Sequence, residues 1–240
     1  MNSIPLDFGE DFRPLAARMR PRNLDEYAGQ QHLIGEGTAL RKAITAGRVF
    51  SLILWGPPGT GKTTLAEVIA SHANAAISKL SAVTCGIKDI RDAIAQAQQR
   101  QQQYQQRTLL FVDEVHRFNK SQQDAFLPFI EDGTIIFIGA TTENPSFALN
   151  NAILSRARVC VLKALNETDL HKVLTQALTD TERGLGSEGI TLTADAEQLL
   201  LQLSAGDARK LLNLLEQAAE LTESAGEGKV IEFDTLKHLV

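Results

Sequence analysis

The residues with the clearest capacity for chemistry form a glycine-rich loop that follows an apolar run and precedes a helix-like segment. The pattern Gly-x-x-x-x-Gly-Lys-Thr is typical of a loop that cradles phosphates. Glycines let the backbone approach an anion, and the next helix offers its N-terminal N–H groups and positive dipole end to it. The loop therefore predicts binding of a polyphosphate. Its residues are Gly56, Pro57, Pro58, Gly59, Thr60, Gly61, Lys62, Thr63 and Thr64.

Two side chains of this loop and two later acids could carry the chemistry. Lys62 can reach the β- and γ-phosphates, and the Thr63 hydroxyl can ligate Mg²⁺. Asp113 and Glu114 close an apolar strand. The first carboxylate can hold Mg²⁺ through water, and the second can polarise an attacking water. The pattern predicts Mg²⁺-dependent hydrolysis of a nucleoside triphosphate, against the alternative of a surface acidic pair.

Hydrolysis places negative charge on the transferring phosphoryl group, so cations and polar groups are expected opposite the loop. Arg156 precedes the last predicted strand, and Arg209 opens a helix near the end of the chain. An ordinary helix-end charge is the alternative for each arginine. Thr141 and Thr142, with Asn144, follow another strand and could touch the γ-phosphate or water, or simply form a turn.

The elements that would position these residues alternate between strands and helices. This alternation predicts an α/β fold with a parallel sheet and ligands at the carboxyl ends of its strands. The predicted strands are residues 51–55, 76–80, 108–112, 134–139 and 158–162. The predicted helices are residues 38–48, 62–72, 86–107, 121–130 and 150–155.

From residue 166 onward the pattern becomes helical. We therefore expect a core domain over residues 1–164 and a small all-α lid domain over residues 165–240. The first eleven residues are interpreted as a loose leader. The arginine-rich segment 13–22 could be a solvated arm or could face a nucleotide or nucleic acid. An apolar helix without a cap begins near residue 233, which indicates a missing downstream region.

Composition narrows the class of protein. The 240 residues are 43% hydrophobic and 22% charged, as in ordinary globular proteins. A net charge of −5 argues against a strongly basic nucleic-acid binder, although a local patch remains compatible with it. Neither a secretory signal nor a membrane-length apolar run is evident. Cys85 and Cys160 match no metal spacing, so reduced thiols and a cytoplasmic location are expected.

The ordered set of motifs resembles the AAA+ ATPases of the clamp-loader and branch-migration branch. This resemblance implies ATP and Mg²⁺ as ligands. It assigns Lys62 and Thr63 to the Walker A motif and Asp113 and Glu114 to the Walker B motif. It assigns Thr142 to sensor 1, with Asn144 as the alternative, and Arg209 to sensor 2. It makes Arg156 the arginine finger that serves a neighbouring subunit, and it places Gln30 in a segment that packs on adenine.

Three longer strings, residues 14–21, 113–124 and 141–147, resemble the replication-associated recombination protein A family, which includes the Werner-helicase-interacting ATPase. The resemblance implies DNA-dependent ATP hydrolysis at stalled forks and at gapped or single-strand/duplex ends. It also implies single-stranded-DNA-binding protein as a partner, a homotetramer formed through a longer C-terminal region, and association with the nucleoid.

Two other functions fit the same motifs. One is a nucleotide-gated scaffold in which hydrolysis is a slow reset, and the other is a clamp loader or branch-migration motor. DNA contact has weak support in the sequence itself. Arg117, Asn119 and Lys120 could grip phosphates, or they could be a solvated helix entrance.

Overall fold

The computed structural model describes residues 12–222 and 228–239, and these form two compact units. The core unit is residues 21–164, and the helical unit comprises the described residues up to 20 and from 165 onward. The strands are β1 (Leu52–Trp55), β2 (Ala76–Ser81), β3 (Thr108–Asp113), β4 (Ile135–Thr141), β5 (Arg158–Val161), β6 (Ile190–Leu192) and β7 (Lys229–Ile231). The helices are α1 (Leu15–Arg18), α2 (Gln31–Ile34), α3 (Ala39–Thr45), α4 (Lys62–His72), α5 (Ile87–Tyr104), α6 (Lys120–Asp124), α7 (Leu127–Glu131), α8 (Pro145–Ala148), α9 (Asn151–Leu154), α10 (Glu167–Thr179), α11 (Ala194–Ser204), α12 (Ala208–Leu221) and α13 (Phe233–Lys237).

A parallel five-stranded sheet with the order β2-β3-β4-β1-β5 organises the core unit. The central strands are apolar and buried along nearly their whole length, because both faces of a parallel sheet are covered. In β1, Leu52 and Leu54 belong to one apolar cluster and Ile53 belongs to another. Successive side chains thus enter opposite faces, as strand geometry requires. The predicted α/β class is confirmed.

The predicted helix 121–130 is wrong as a single element. The structure divides this segment into α6 and α7, and Asn119 rather than Ser121 caps the first of them by accepting a hydrogen bond from the Gln122 N–H. The break lies before Pro128. A proline inside a continuous helix lacks the required N–H and clashes with the carbonyl four residues earlier. Pro128 is tolerated because it lies in the first turn of α7.

The helical unit is built mainly from α10 to α13, and it also contains a parallel pair of strands, β6 and β7. The all-α prediction did not include this pair because each strand is only three residues long. Residues 13–20 of the arginine-rich segment also belong to this unit rather than to the core. Leu15 is buried in its apolar cluster, and the Leu15 N–H donates to Oε1 of Glu216 on α12 at 2.7 Å.

The predicted leader, residues 1–11, lies outside the described residues. Within the described ranges, no helix combines the length and the apolar character needed to cross a membrane.

One buried polar side chain ties three segments of the core unit together. Gln123 on α6 is only 3% exposed. Its Nε2 donates to the carbonyls of Phe118 at 2.8 Å and Ala148 at 3.2 Å, and its Oε1 accepts from the Asn150 N–H at 2.9 Å. Because buried backbone groups need partners, Gln123 fixes the segments after β3 and β4 to each other.

We predict that Gln123→Ala lowers the free energy of unfolding by about 2–4 kcal/mol, since it creates a cavity and leaves buried backbone groups unpaired. Urea unfolding followed by circular dichroism measures this change. Ser121→Ala is the control because Ser121 is exposed on the same helix. Equal unfolding midpoints for the two variants would contradict the role given to Gln123.

Candidate nucleotide-binding site

The glycine-rich loop connects β1 to α4 and depends on two close backbone approaches. A Cβ atom on Gly56 would lie 2.3 Å from the Leu162 carbonyl oxygen. One on Gly61 would lie 2.2 Å from the Tyr27 hydroxyl oxygen, and Gly61 also has a φ of +91°. At both positions only glycine fits without displacing a neighbour. The loop is therefore held in a defined curve at the N-terminus of α4.

Lys62 lies inside this curve. Its side chain is buried, with 8% exposure, and its Nζ donates to the carbonyls of Gly56 at 2.8 Å and Pro57 at 2.7 Å. The Thr60 hydroxyl also donates to the Pro57 carbonyl, at 2.9 Å. The ammonium group is thus anchored to the loop that it serves. Such a preformed positive centre suits a polyphosphate.

The other loop residues surround this centre. Thr63 and Thr64 occupy the first turn of α4, where backbone N–H groups have no partner within the helix. The Thr63 side chain is half-buried and that of Thr64 is buried, whereas Pro57 and Pro58 are exposed. The nucleotide and Mg²⁺ contacts of these residues remain predictions.

The segment expected to pack on adenine contacts the loop from one side. The buried Tyr27 hydroxyl donates to the Thr60 carbonyl at 3.1 Å, and burial raises the pKa of Tyr27. Gln30 is also buried, but its amide pairs with the backbone of Lys163 in both directions, at 2.7 and 2.9 Å. Gln30 therefore fixes the segment to the chain after β5. Its predicted nucleotide contact remains a prediction.

The two acids and the phosphate loop both lie at the carboxyl ends of the parallel strands. Asp113 is the last residue of β3, and β3 and β1 both pair with β4 in parallel register. Glu114 follows in the left-handed region, with φ 52° and ψ 42°, and its N–H donates to Oδ1 of Asp113 at 3.1 Å. This conformation is unusual for a residue other than glycine and often marks a functional position.

Mg²⁺ commonly binds proteins through one or two carboxylates together with substrate phosphates and water. Asp113 and Thr63 offer ligands of this oxygen type. Their role as metal ligands is not tested by the structure and remains a prediction.

The two sensor candidates differ in their local setting. Strand β4 is longer than predicted and ends at Thr141, which pairs with Trp55 at the start of the loop. Thr142 is exposed immediately beyond this strand end. Asn144 caps α8, since its Oδ1 accepts from the Ser146 N–H at 3.0 Å. Both residues follow the carboxyl end of β4, near the phosphate loop, and the assignment of either one to sensor 1 remains a prediction.

Arg156 lies at the amino ends of the strands, whereas the phosphate loop lies at their carboxyl ends. It precedes β5, whose first residue, Arg158, pairs with Leu52 at the start of β1. Its Nη1 donates to the Ala152 carbonyl at 2.8 Å, and its Nη2 forms an ion pair with Glu131. The structure therefore does not bring Arg156 to the phosphate loop of its own chain.

Arg209 is exposed in the first turn of α12 in the helical unit. Asp207 caps this helix, accepting a hydrogen bond from the Lys210 N–H at 3.0 Å. The role of Arg209 as a sensor remains a prediction.

Sequence reasoning missed one residue of the site, His116. Its ring lies between the ends of β3 and β4, 3.4 Å from the Glu114 carboxylate and 3.0 Å from the Thr141 hydroxyl. The available signal was its place in the string 113–124, two residues after Glu114. Spacing alone did not show which side chains it would meet.

Comparison with known proteins defines the class. Residues 52–165 match the family described as ATPase family associated with various cellular activities (AAA), and residues 186–240 match the AAA C-terminal domain. The solved structure of the Thermotoga maritima RuvB Holliday junction branch migration motor aligns with a TM-score of 0.73 at 26% identity, covering 92% of this chain and 72% of that one. The fold and site are those of a nucleotide-binding AAA ATPase.

The similar curated proteins narrow this class. Replication-associated recombination protein A of Haemophilus influenzae is 58% identical over 241 residues, covering 100% of this chain and 54% of that protein. Its Escherichia coli K12 counterpart is 59% identical over 230 residues, covering 95% and 51%. The chain belongs to the replication-associated recombination protein A family of AAA ATPases. It spans about half the length of these curated relatives.

We predict that Gly61→Ala weakens binding of an ATP analogue at least about tenfold, because strain of 1–3 kcal/mol at a positive φ adds to the clash with Tyr27. Titration with a fluorescent analogue measures the affinity. Gly133→Ala is the control, since Gly133 has a φ of +77° but open space around its Cβ position. An equal loss of analogue affinity in both variants would show that the positive φ alone, and not the contact of residue 61 with Tyr27, explains the weaker binding.

Proposed function

We propose that this protein binds ATP with Mg²⁺ and hydrolyses it in response to DNA. The observation that carries this proposal is the strand register. Because β1 and β3 both pair with β4 in parallel, the loop around Lys62 and the acid Glu114 leave the sheet at one edge. A phosphate cradle and a general base at one edge suit phosphoryl transfer to water.

The side chains divide the work. The loop N–H groups and Lys62 hold the phosphates, while Thr63 and Asp113 hold Mg²⁺. A Mg²⁺ ion held by these two residues would supply positive charge to the phosphates. Glu114 orients the attacking water and accepts its proton as the new P–O bond forms. Rigid placement matters because a displacement of about 1 Å can cost a factor of 10² in rate.

DNA is the proposed effector. The name of the similar curated proteins, replication-associated recombination protein A, supports a role in replication-associated recombination. On this chain, Arg117 and Lys120 are exposed just after the acidic pair, and Phe147 on α8 is 90% exposed. Gln123 ties the two segments that carry these residues. Basic and aromatic side chains together suit phosphates and unpaired bases.

The proposed substrates are stalled forks and gapped or single-strand/duplex ends, with single-stranded-DNA-binding protein as a partner. The likeness to a branch-migration motor supports a second candidate, in which hydrolysis drives movement of a junction. A nucleotide-gated scaffold is the third possibility. These functions differ in how turnover responds to DNA and in whether strands move.

ATP turnover measured with and without forked DNA tests the proposal. We predict DNA stimulation in the wild type and no turnover in Lys62→Ala, because that variant loses its phosphate contact. Glu114→Gln should bind an ATP analogue normally but not cleave ATP. A slow rate that DNA does not change would favour the scaffold, and strand exchange on a four-way junction would favour the motor.

Arg156 is proposed to act on the site of a neighbouring subunit in a homotetramer. Its position at the amino ends of the strands supports this, since the phosphate loop of its own chain lies at the carboxyl ends. Because a neighbour's phosphate would compete with Glu131 for the guanidinium, the ion pair with Glu131 must open. An arginine finger of this kind adds about 10³–10⁵ to turnover.

We predict that Arg156→Ala abolishes turnover in the assembled protein while keeping ATP binding. Mixing it with Lys62→Ala should restore roughly a quarter of the wild-type rate, because heterologous contacts then pair some intact sites with intact fingers. Arg158→Ala is the control, as Arg158 is exposed on the adjacent strand. Full activity of Arg156→Ala, or no recovery on mixing, would reject action in trans.

A further inference from the structure

His116 occupies a closed position between the ends of two neighbouring strands. It lies in a short 3₁₀ turn, Val115–Arg117, directly after Glu114, and its side chain is only 8% exposed. In a histidine enclosed beside a candidate general base, the partners of the two ring nitrogens determine which nitrogen carries the proton.

The ring nitrogens face three oxygen-bearing side chains. Nδ1 lies 3.0 Å from Oγ1 of Thr141 and 3.4 Å from Oε2 of Glu114. Nε2 lies 3.5 Å from Oε1 of Glu143, whose side chain is largely exposed. The shorter contacts are on the Nδ1 side. Exposed pairs contribute little, so the contact with Glu143 is the weaker one.

Thr141 is a fixed anchor for this ring. The residue is fully buried, its Oγ1 accepts from the Glu143 N–H at 3.0 Å, and its hydroxyl donates to the Glu143 carbonyl at 3.2 Å. A hydroxyl has one proton and two lone pairs, so the remaining lone pair accepts a hydrogen bond from the His116 Nδ1–H. With the Thr141 hydroxyl donating to the Glu143 carbonyl, this arrangement favours the Nδ1–H tautomer of His116. Oε2 of Glu114 lies 3.4 Å from the same nitrogen.

Thr141 also connects this anchor to the phosphate loop. It is paired with Trp55, the last residue of β1, and its carbonyl accepts from the Gly56 N–H at 3.2 Å. A side chain held by Thr141 is therefore held relative to the loop. The backbone of Glu114 does not hold its side chain relative to the loop in the same way, because Glu114 follows the end of β3 in the left-handed conformation.

We propose that His116 is a positioning residue that holds the Glu114 carboxylate in register with the phosphate loop through Thr141. The inference rests on the proposed ATP hydrolysis and assigns it a further residue. His116 does not touch the reacting atoms. It fixes the orientation of the base, and orientation affects the rate of the chemical step more than the binding of substrate.

Three substitutions separate this role from a structural one. An asparagine amide places its nitrogen near the position of Nδ1, and a glutamine amide places its nitrogen nearer that of Nε2. We expect His116→Ala to lower kcat about 10- to 100-fold with little change in KM or in ATP-analogue affinity. His116→Asn should recover most of the loss, whereas His116→Gln should not.

Steady-state ATP turnover, analogue binding and thermal melting are measured on all three variants and the wild type. The inference is overturned if His116→Ala keeps the wild-type kcat, if its defect lies in KM and affinity, or if Asn and Gln behave alike. A well-folded His116→Asn keeps the comparison valid should the alanine variant melt early. A wild type that binds ATP without hydrolysing it would instead refute the proposed function.

Discussion

The parallel hydrogen bonding of β4 with its two neighbours is the constraint on which the site depends. Through it, Trp55 is level with Thr141, and Val112 is level with Gly139. The carboxyl ends of β1, β3 and β4 therefore lie at the same end of the sheet, and residues far apart in sequence meet there. Gly139 sits at a tight point of this arrangement, because a Cβ there would lie 3.1 Å from both Ile53 and Val115. The packing of the sheet and the position of the acidic turn are thus set together.

The sequence could predict those parts of the molecule that depend on local pattern. The bounds of α4 were predicted correctly, and its start follows from the apolar strand and glycine loop that precede it. The helix 121–130 was not, since the effect of Pro128 was overlooked. Residues 13–20 were placed with the core because their partner, Glu216, lies about two hundred residues away, a separation that no local pattern reveals.

The same division holds within the candidate site. Lys62, Asp113 and Glu114 could be found because each lies in a contiguous motif. The contact of His116 with Thr141 could not, since it joins residues 25 positions apart and exists only through the register of two strands. Gln30 shows the converse. The resemblance predicts that its segment packs on adenine, and this stays a prediction. Its side chain pairs with the backbone of Lys163, which its position in the sequence did not indicate.

The position of Arg156 limits how subunits could combine to complete an active site. β1 is four residues long, or roughly 13 Å, and the arginine lies before one end while the loop follows the other. An arginine side chain cannot bridge that span and also keep its bonds to the Ala152 carbonyl and Glu131. If the arginine completes a site, that site belongs to another subunit, and the contact joins two unlike surfaces. Such contacts are heterologous, and they close into a ring only when the rotation between subunits permits it.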